Sequence, residues 1–251
     1  MMSQVPYAIF DWIGKHEVSV LLAVLLLLLA LWGFAIIAWK VEKGATETFD
    51  EWAIQALRQP DRPSQPIGPA WLPEVGRDLT ALGGVAVLSL LTLAVAGFLW
   101  MRGMYGAMFL VLTATLGGLV ASSLLKHLFD RARPDLVPHL SHVYTSSFPS
   151  GHSMLSAVVY LTLGTLLGRF VRERSLQAYF LITALLLTFF VGISRVYMGV
   201  HYPTDVLAGW VAGLAWALMC WLVARRLQRR GMVEQGKASD QLPGALPPTA
   251  G

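Results

Sequence analysis

Six apolar runs, separated by short polar connections, dominate the pattern of this chain. Residues 18–39 include the nearly unbroken stretch LLAVLLLLLALWGFAIIAW. About 20 such residues cross a bilayer core of ~30 Å. A secretory signal would have an apolar core of only ~7–15 residues and a small-residue cleavage site after it. Here the run is longer and is followed by Lys40, Glu42 and Lys43, so it is expected to be an uncleaved first membrane helix. Five further spans are predicted at 79–100, 105–125, 153–170, 177–198 and 203–223. Gly117 and Gly118 in the third allow close helix packing. The expected fold class is therefore all-α and polytopic, with one membrane domain over 18–224. A polar and aromatic lead, 1–17, precedes it. A basic tail, 225–251, follows; it ends in KASDQLPGALPPTAG, too polar and proline-rich to pack and expected to be disordered.

The longest polar connection, 40–78, carries its own periodicity. Phe49, Trp52, Ala53, Ala56 and Leu57 recur at helical spacing, with Asp50, Glu51, Gln55 and Arg58 on the other face. This predicts an amphipathic helix lying in the membrane interface between the first two spans. The proline-rich piece QPDRPSQPIGPAWLP is expected to interrupt regular structure.

Composition agrees with the pattern. The chain has 251 residues, 55% hydrophobic and only 14% charged, against about 25% charged in soluble domains. The net charge of +4 points to anchoring and an anion site, not a nucleic-acid surface, because the basic residues lie at the ends of apolar runs. Arg102, the Arg169–Arg174 loop, and Arg225, Arg226, Arg229 and Arg230 would all fall on one side of a six-span layout. Short basic loops are retained in the cytoplasm, so both termini are expected there. The sole cysteine, Cys220, can form no intramolecular disulfide and is expected to pack as a small apolar residue.

By the same parity, three polar clusters share the extracytoplasmic side. The first is Lys126 with Arg133 and Pro134, in KHLFDRARP; the second is Pro149-Ser150-Gly151-His152; the third is Ser194-Arg195, Gly199, His201 and Asp205, in SRVYMGVHYPTD. Their basic residues oppose the charge rule there, which implies a function. In the third cluster, Pro203 suits the first turn of the sixth helix. One turn of chain can bring the Asp205 carboxylate to the His201 ring, fixing its tautomer and leaving a nitrogen as nucleophile or base. Taken alone, that pair also fits an ion pair capping a helix. In the second cluster, Ser150 is a natural N-cap and the Gly151 amide lies at a helix start, where free N–H groups bind anions. His152 is placed to act as a general acid, although an ordinary capping loop would look the same. In the first cluster, Lys126 and Arg133 are two helical turns apart and share a face if the helix persists. They suit phosphate contact, or, with Asp130 and Arg131, a surface salt-bridge patch. Together the clusters assemble three cations, two histidines and a carboxylate, a site for a dianionic phosphate. His and Asp could also ligate a divalent metal, but Lys126, Arg133 and Arg195 would repel it, so no metal or other cofactor is expected.

The composite Lys126-x6-Arg133-Pro134, Pro149-Ser150-Gly151-His152 and Ser194-Arg195-x3-Gly199-x-His201-x3-Asp205 resembles the type 2 phosphatidic acid phosphatase superfamily, the lipid phosphate phosphatases. The resemblance implies a metal-independent enzyme in which His201 attacks phosphorus to form a phosphohistidine and Asp205 orients it. It further implies that His152 protonates the leaving group, and that Lys126, Arg133, Arg195, Ser150 and the Gly151 amide hold the phosphate oxygens. His139 and His142 are expected to be surface residues. The expected substrate is a lipid phosphate or diphosphate drawn from the bilayer: undecaprenyl diphosphate, phosphatidylglycerophosphate or phosphatidate. The expected location is a bacterial inner membrane, with the site at the outer face. No nucleic-acid partner is expected, and nothing in the sequence sets an oligomeric state. Three alternatives carry the same residues in part. Vanadium haloperoxidases share the motifs but are soluble. A lipid phosphotransferase would use the same chemistry. A non-hydrolytic anion or lipid transporter would need the charge but no oriented nucleophile.

Overall fold

The computed structural model describes residues 15–140 and 145–229. The expected disorder of the tail's last residues, most of the lead, and His142 lie outside the described residues. Eight helices and a small hairpin occur in the order α1 (Lys15–Glu42), α2 (Glu47–Ala56), β1 (Arg58–Gln59), β2 (Arg62–Pro66), α3 (Leu72–Ala81), α4 (Val85–Met101), α5 (Tyr105–Leu128), α6 (Gly151–Arg169), α7 (Arg174–Tyr197) and α8 (Pro203–Arg229). Five helices are individually long and apolar enough to cross a membrane, and α3 with α4 makes a sixth span bent by 46°.

Helix α6 is the hub. Its spanning window is 72% buried, against 11–28% for the other four single-helix spans. It packs on α4, α5, α7 and α8, while α1 lies along α8. Gly209 and Gly213 of α8 permit this approach: a Cβ at these positions would lie 2.6 Å from the Ser150 carbonyl oxygen and 2.5 Å from that of Met154. The outward leucines of α1, such as Leu21 and Leu22, are exposed, as a lipid-facing helix requires.

Four features differ from the expectations. The second span does not start at 79. It is a bent pair beginning at Leu72, broken at Gly83 and Gly84. Gly83 presses against α7, where a Cβ would meet Val191 Cγ1 at 2.3 Å. The proline-rich segment is not wholly irregular, since β1 and β2 pair antiparallel. Helix α5 does not persist to Arg133. It ends at Leu128, and the chain turns back through packed Phe34, Phe129 and Phe148 rings. Lys126 and Arg133 therefore do not share a helical face.

The fourth difference is the orientation of α2. Asp50, placed on its solvent face by the sequence pattern, is fully buried with Ile54, and Arg58 is only 4% exposed. Phe49 and Trp52 instead point outward at 54% and 64% exposure. Asp50 and Ile54, four apart, share the inward face of α2, and Arg58, just past the helix at the start of β1, points inward beside them. Beside a bilayer the usual logic reverses: aromatic side chains can face lipid, and the charged groups must find partners inside the protein.

Candidate active site

The connections after the first, third and fifth spans meet at one end of the bundle. Arg131 Nη2 donates to Asp50 Oδ2 (2.8 Å), and Arg131 Nη1 donates to Asp205 Oδ1 (2.6 Å). Ser150 N donates to the Asp205 carbonyl (2.9 Å), joining the starts of α6 and α8. At the opposite end, Arg169 and Arg225 lie within range of each other's charge.

Helix α7 delivers Arg195 and then stops. Gly199 adopts φ +72°, a left-handed turn that glycine makes without penalty. The following loop presents His201, which is 1% exposed. Its ring is poised by partners on both sides. Nδ1 faces Ser147 Oγ at 3.3 Å, and that hydroxyl donates to Asp205 Oδ2 at 2.5 Å. Nδ1 and Asp205 Oδ2 are themselves 3.6 Å apart, beyond a good hydrogen bond. Asp205 thus stands at the ring, as expected, and its hydrogen-bonded connection to the ring runs through Ser147. Nε2 faces Arg133 Nη1 at 3.2 Å. An arginine only donates and an ionised carboxylate only accepts. The proton thus belongs on Nδ1, and Nε2 keeps its lone pair. Burial, reinforced by Arg195 and Arg133, pushes His201 down to about 3 despite the pull of Asp205, so the ring is neutral near neutral pH.

Of the expected phosphate ligands, Arg133 reaches that lone pair directly, and the others lie near it by different routes. Arg133 donates to the Thr145 carbonyl (2.7 Å) and the Val200 carbonyl (2.6 Å). Lys126 Nζ donates to the Ser146 carbonyl (2.6 Å), which Arg133 Nη2 also reaches at 3.5 Å. Contacts from described residues on both arms of the α5–α6 connection thus bring Lys126 and Arg133 together, as a continued helix was expected to do. Arg195 is 2% exposed, and its Nε and Nη1 have no hydrogen-bond partner among the described residues. Ser150 caps α6 and accepts from Ser153 Oγ at 2.9 Å. Gly151 packs closely on Lys126, whose Cε would lie 3.3 Å from an added Cβ. His152, in the first turn of α6, lies against the α3–α4 break and within charge range of Arg195, His201, Lys126 and Arg133. His139 is exposed, as expected, with Nε2 on the Pro134 carbonyl.

Asp50, Arg58, Arg131 and Ser147 were not foreseen at the site. Arg131 was assigned to a surface patch. It is instead held between two carboxylates and over the Tyr202 ring at 4.3 Å. Burial opposes its charge, but Asp205 and Asp50 outweigh that and raise its pKa. A cavity of about 230 Å³ opens beside Arg131, lined also by Glu47, Glu51, Ala132 and Tyr202, and none of the expected phosphate ligands lines it.

Comparison with known proteins identifies this assembly. A family model, the PAP2 superfamily, matches residues 106–229. Phosphatidylglycerophosphatase B of Bacillus subtilis (strain 168) is 35% identical over 188 residues, covering 72% of this chain and 86% of that protein. The chain belongs to the PAP2 superfamily. A crystal structure of a transmembrane PAP2-type phosphatidylglycerolphosphate phosphatase from Bacillus subtilis superposes with a TM-score of 0.72 at 31% identity, over 81% of this chain and 98% of that one. A lipid A 1-phosphatase of Rhizobium johnstonii is 33% identical over 127 residues, 47% of this chain and 48% of that protein. This PAP2 protein is thus an integral-membrane phosphatase of the lipid phosphate class. The matched PAP2 stretch begins at residue 106, inside α5, so Asp50 and Arg58 lie before it while the three polar clusters lie within it.

Proposed function

We propose that this PAP2 enzyme hydrolyses a lipid phosphate or diphosphate without a metal, through a phosphohistidine on His201. The reading rests on one observation: a buried imidazole set between Ser147 Oγ at Nδ1 and Arg133 Nη1 at Nε2, a placement that supports a neutral ring with its lone pair on Nε2. In the first step Nε2 bonds to phosphorus and the bond from phosphorus to the bridging oxygen breaks. The electron pair leaves with the lipid, and protonated His152 supplies the proton; the bound dianion favours that protonated form. Lys126, Arg133 and Arg195, with Ser150 and the Gly151 amide, hold the non-bridging oxygens and offset their charge. In the second step water attacks phosphorus, His152 takes its proton, the P–Nε2 bond breaks and phosphate departs.

Phosphatidylglycerophosphate is the first candidate substrate, supported by the name of the Bacillus subtilis relative. Undecaprenyl diphosphate and phosphatidate are the others. The site is assigned to the extracytoplasmic face of a bacterial inner membrane, with both termini cytoplasmic, on the strength of the arginines at the other end of the bundle. Phosphate release from the purified protein across these three lipids, compared with His201→Ala, tests the function. A variant that turns over normally would remove His201 as nucleophile. For sidedness, a cysteine replacing exposed Ser64 of β2 in a Cys220→Ala background should react with an impermeant maleimide on intact cells. Reaction only after the inner face is opened would reverse the topology.

A further inference from the structure

Asp50 and Ile54 of α2, with Arg58 at the start of β1, grip both ends of the loop that carries His201. Helix α8 starts at Pro203, so the Thr204 N–H has no partner within its own helix. Asp50 supplies one from another element: Oδ1 accepts from Thr204 N (3.1 Å) and Oδ2 from Thr204 Oγ1 (2.6 Å). The same carboxylate holds Arg131, which donates to Thr204 Oγ1 (2.9 Å) and to Asp205 Oδ1 (2.6 Å). At the other end of the loop, Arg58 Nη1 donates to the carbonyl of Tyr197, the last residue of α7 (3.0 Å). Gly199 lies directly against this guanidinium; a Cβ there would meet Arg58 Nη2 at 2.5 Å. Between the two charges, Ile54 packs with Val137, Val196 and Val206. The charge signs match the helix dipoles. A carboxylate sits at the positive start of α8 and a guanidinium at the negative end of α7.

We propose that α2 and the start of β1 form a clamp that sets the position of the nucleophile, with Asp50 and Arg58 as its positioning residues. They touch neither the phosphate ligands nor the imidazole. They fix the two helix ends between which residues 198–202 are strung, and Asp50 aims Asp205 through Arg131. The proposal rests on His201 being the nucleophile of the reaction described above. A segment before the matched family stretch would then complete a site built from later residues.

The test uses the full-length enzyme in detergent with a lipid phosphate that the wild type turns over. Asp50→Asn keeps shape but puts an amide where three donors now meet a carboxylate. Arg58→Met keeps length but removes the donor. Each should lower kcat by roughly 10- to 100-fold, the scale of a lost hydrogen bond to a charged group, while KM stays within about twofold because the phosphate ligands are untouched. Arg58→Lys, which keeps a donor and a charge, should recover part of kcat. Vanadate inhibition, which needs Nε2 aimed at the metal oxyanion, should weaken in parallel with kcat. Wild-type kcat in both Asp50→Asn and Arg58→Met would overturn the clamp. So would a lost activity in Arg58→Met that tracks loss of folded protein, as melting temperature and elution profile report, because that is bracing and not aim. If Asp50→Asn is not recovered folded, Arg58→Met with its lysine counterpart decides. A wild-type enzyme that releases phosphate from no lipid phosphate would instead sink the underlying function, a result distinguishable from failure of the clamp alone.

Discussion

Replacing Ser147 with alanine separates the relay seen in the structure from the simpler dyad expected from sequence. The hydroxyl is fully buried. It donates to Asp205 Oδ2 at 2.5 Å and stands 3.3 Å from His201 Nδ1. Asp205 would keep Arg131 Nη1 (2.6 Å) and Tyr202 N (2.9 Å), so its charge stays compensated and the fold should survive. What is lost is one hydrogen bond to a charged acceptor, about 1.5–3 kcal/mol, and the hydroxyl that bridges the carboxylate to the ring. If that energy is expressed mainly in the transition state, where the imidazole gains positive charge as Nε2 bonds to phosphorus, kcat falls roughly 10- to 150-fold. KM should hardly move, because Ser147 touches none of the three site cations directly. Steady-state phosphate release gives both parameters. A double-mutant cycle with Asp205→Asn sharpens the test. If the hydroxyl acts through the carboxylate, removing it in the Asp205→Asn background should change kcat by less than about threefold. Wild-type kcat in Ser147→Ala, or full additivity in the cycle, would refute the relay.

His201→Ala should abolish phosphate release while the melting temperature shows a folded protein. Activity should survive EDTA and be blocked by vanadate; complete loss restored by a divalent ion would overturn the metal-free mechanism. Acid should destabilise the native state through His201: its folded pKa of about 3 lies below the unfolded ~6.5, so only the unfolded chain binds this proton between those values and stability falls as pH drops through that window. His201→Asn should therefore lose less melting temperature than the wild type between pH 7 and 5, and an equal loss would contradict the burial of a neutral ring. Gly199→Ala should cost at least about 1–2 kcal/mol, from a left-handed residue with a Cβ pushed to 2.8 Å from Val137 Cγ2, read as a lower unfolding midpoint with reduced kcat.

The spans and the three polar clusters were legible because each is a local signal. Apolar runs report the bilayer directly. Lys126, Arg133, His152, Arg195, His201 and Asp205 stand out as charge at the ends of those runs, and span parity alone places them at one end. What could not be read depends on partners distant in the chain. Ser147 lies in the serine-rich SSFPS segment, and nothing local marks one hydroxyl as the bridge between residues 54 and 58 positions further on. Arg131 sits beside Asp130 like any surface pair, yet its partners are 81 residues back and 74 ahead. Asp50 was misplaced because amphipathicity gives a helix two faces without saying which one meets lipid. The spacing of Asp50, Ile54 and Arg58 was the available clue: two opposite charges flanking one isoleucine on a single stripe are costly near hydrocarbon unless that stripe is turned inward.

The placement of charge explains why this site tolerates so many cations in one buried corner. Arg131 is shared between Asp50 and Asp205, giving a triad with one excess negative charge on the Nδ1 side of His201. Arg133 lies on the other side, at Nε2, with Lys126 beside it on the Ser146 carbonyl and Arg195 within charge range of both. A neutral imidazole therefore sits in a field directed from the phosphate subsite toward the carboxylates. In the proposed reaction that field would draw the dianion to Nε2 and favour the positive charge that the ring would acquire on phosphorylation. Removing Asp50 alone leaves Arg131 to Asp205, and the pair becomes neutral. The field across His201 is then weakened without any change in the groups that touch phosphate. The same carboxylate thus serves position and polarity together, which is why its loss is expected in kcat and not in KM.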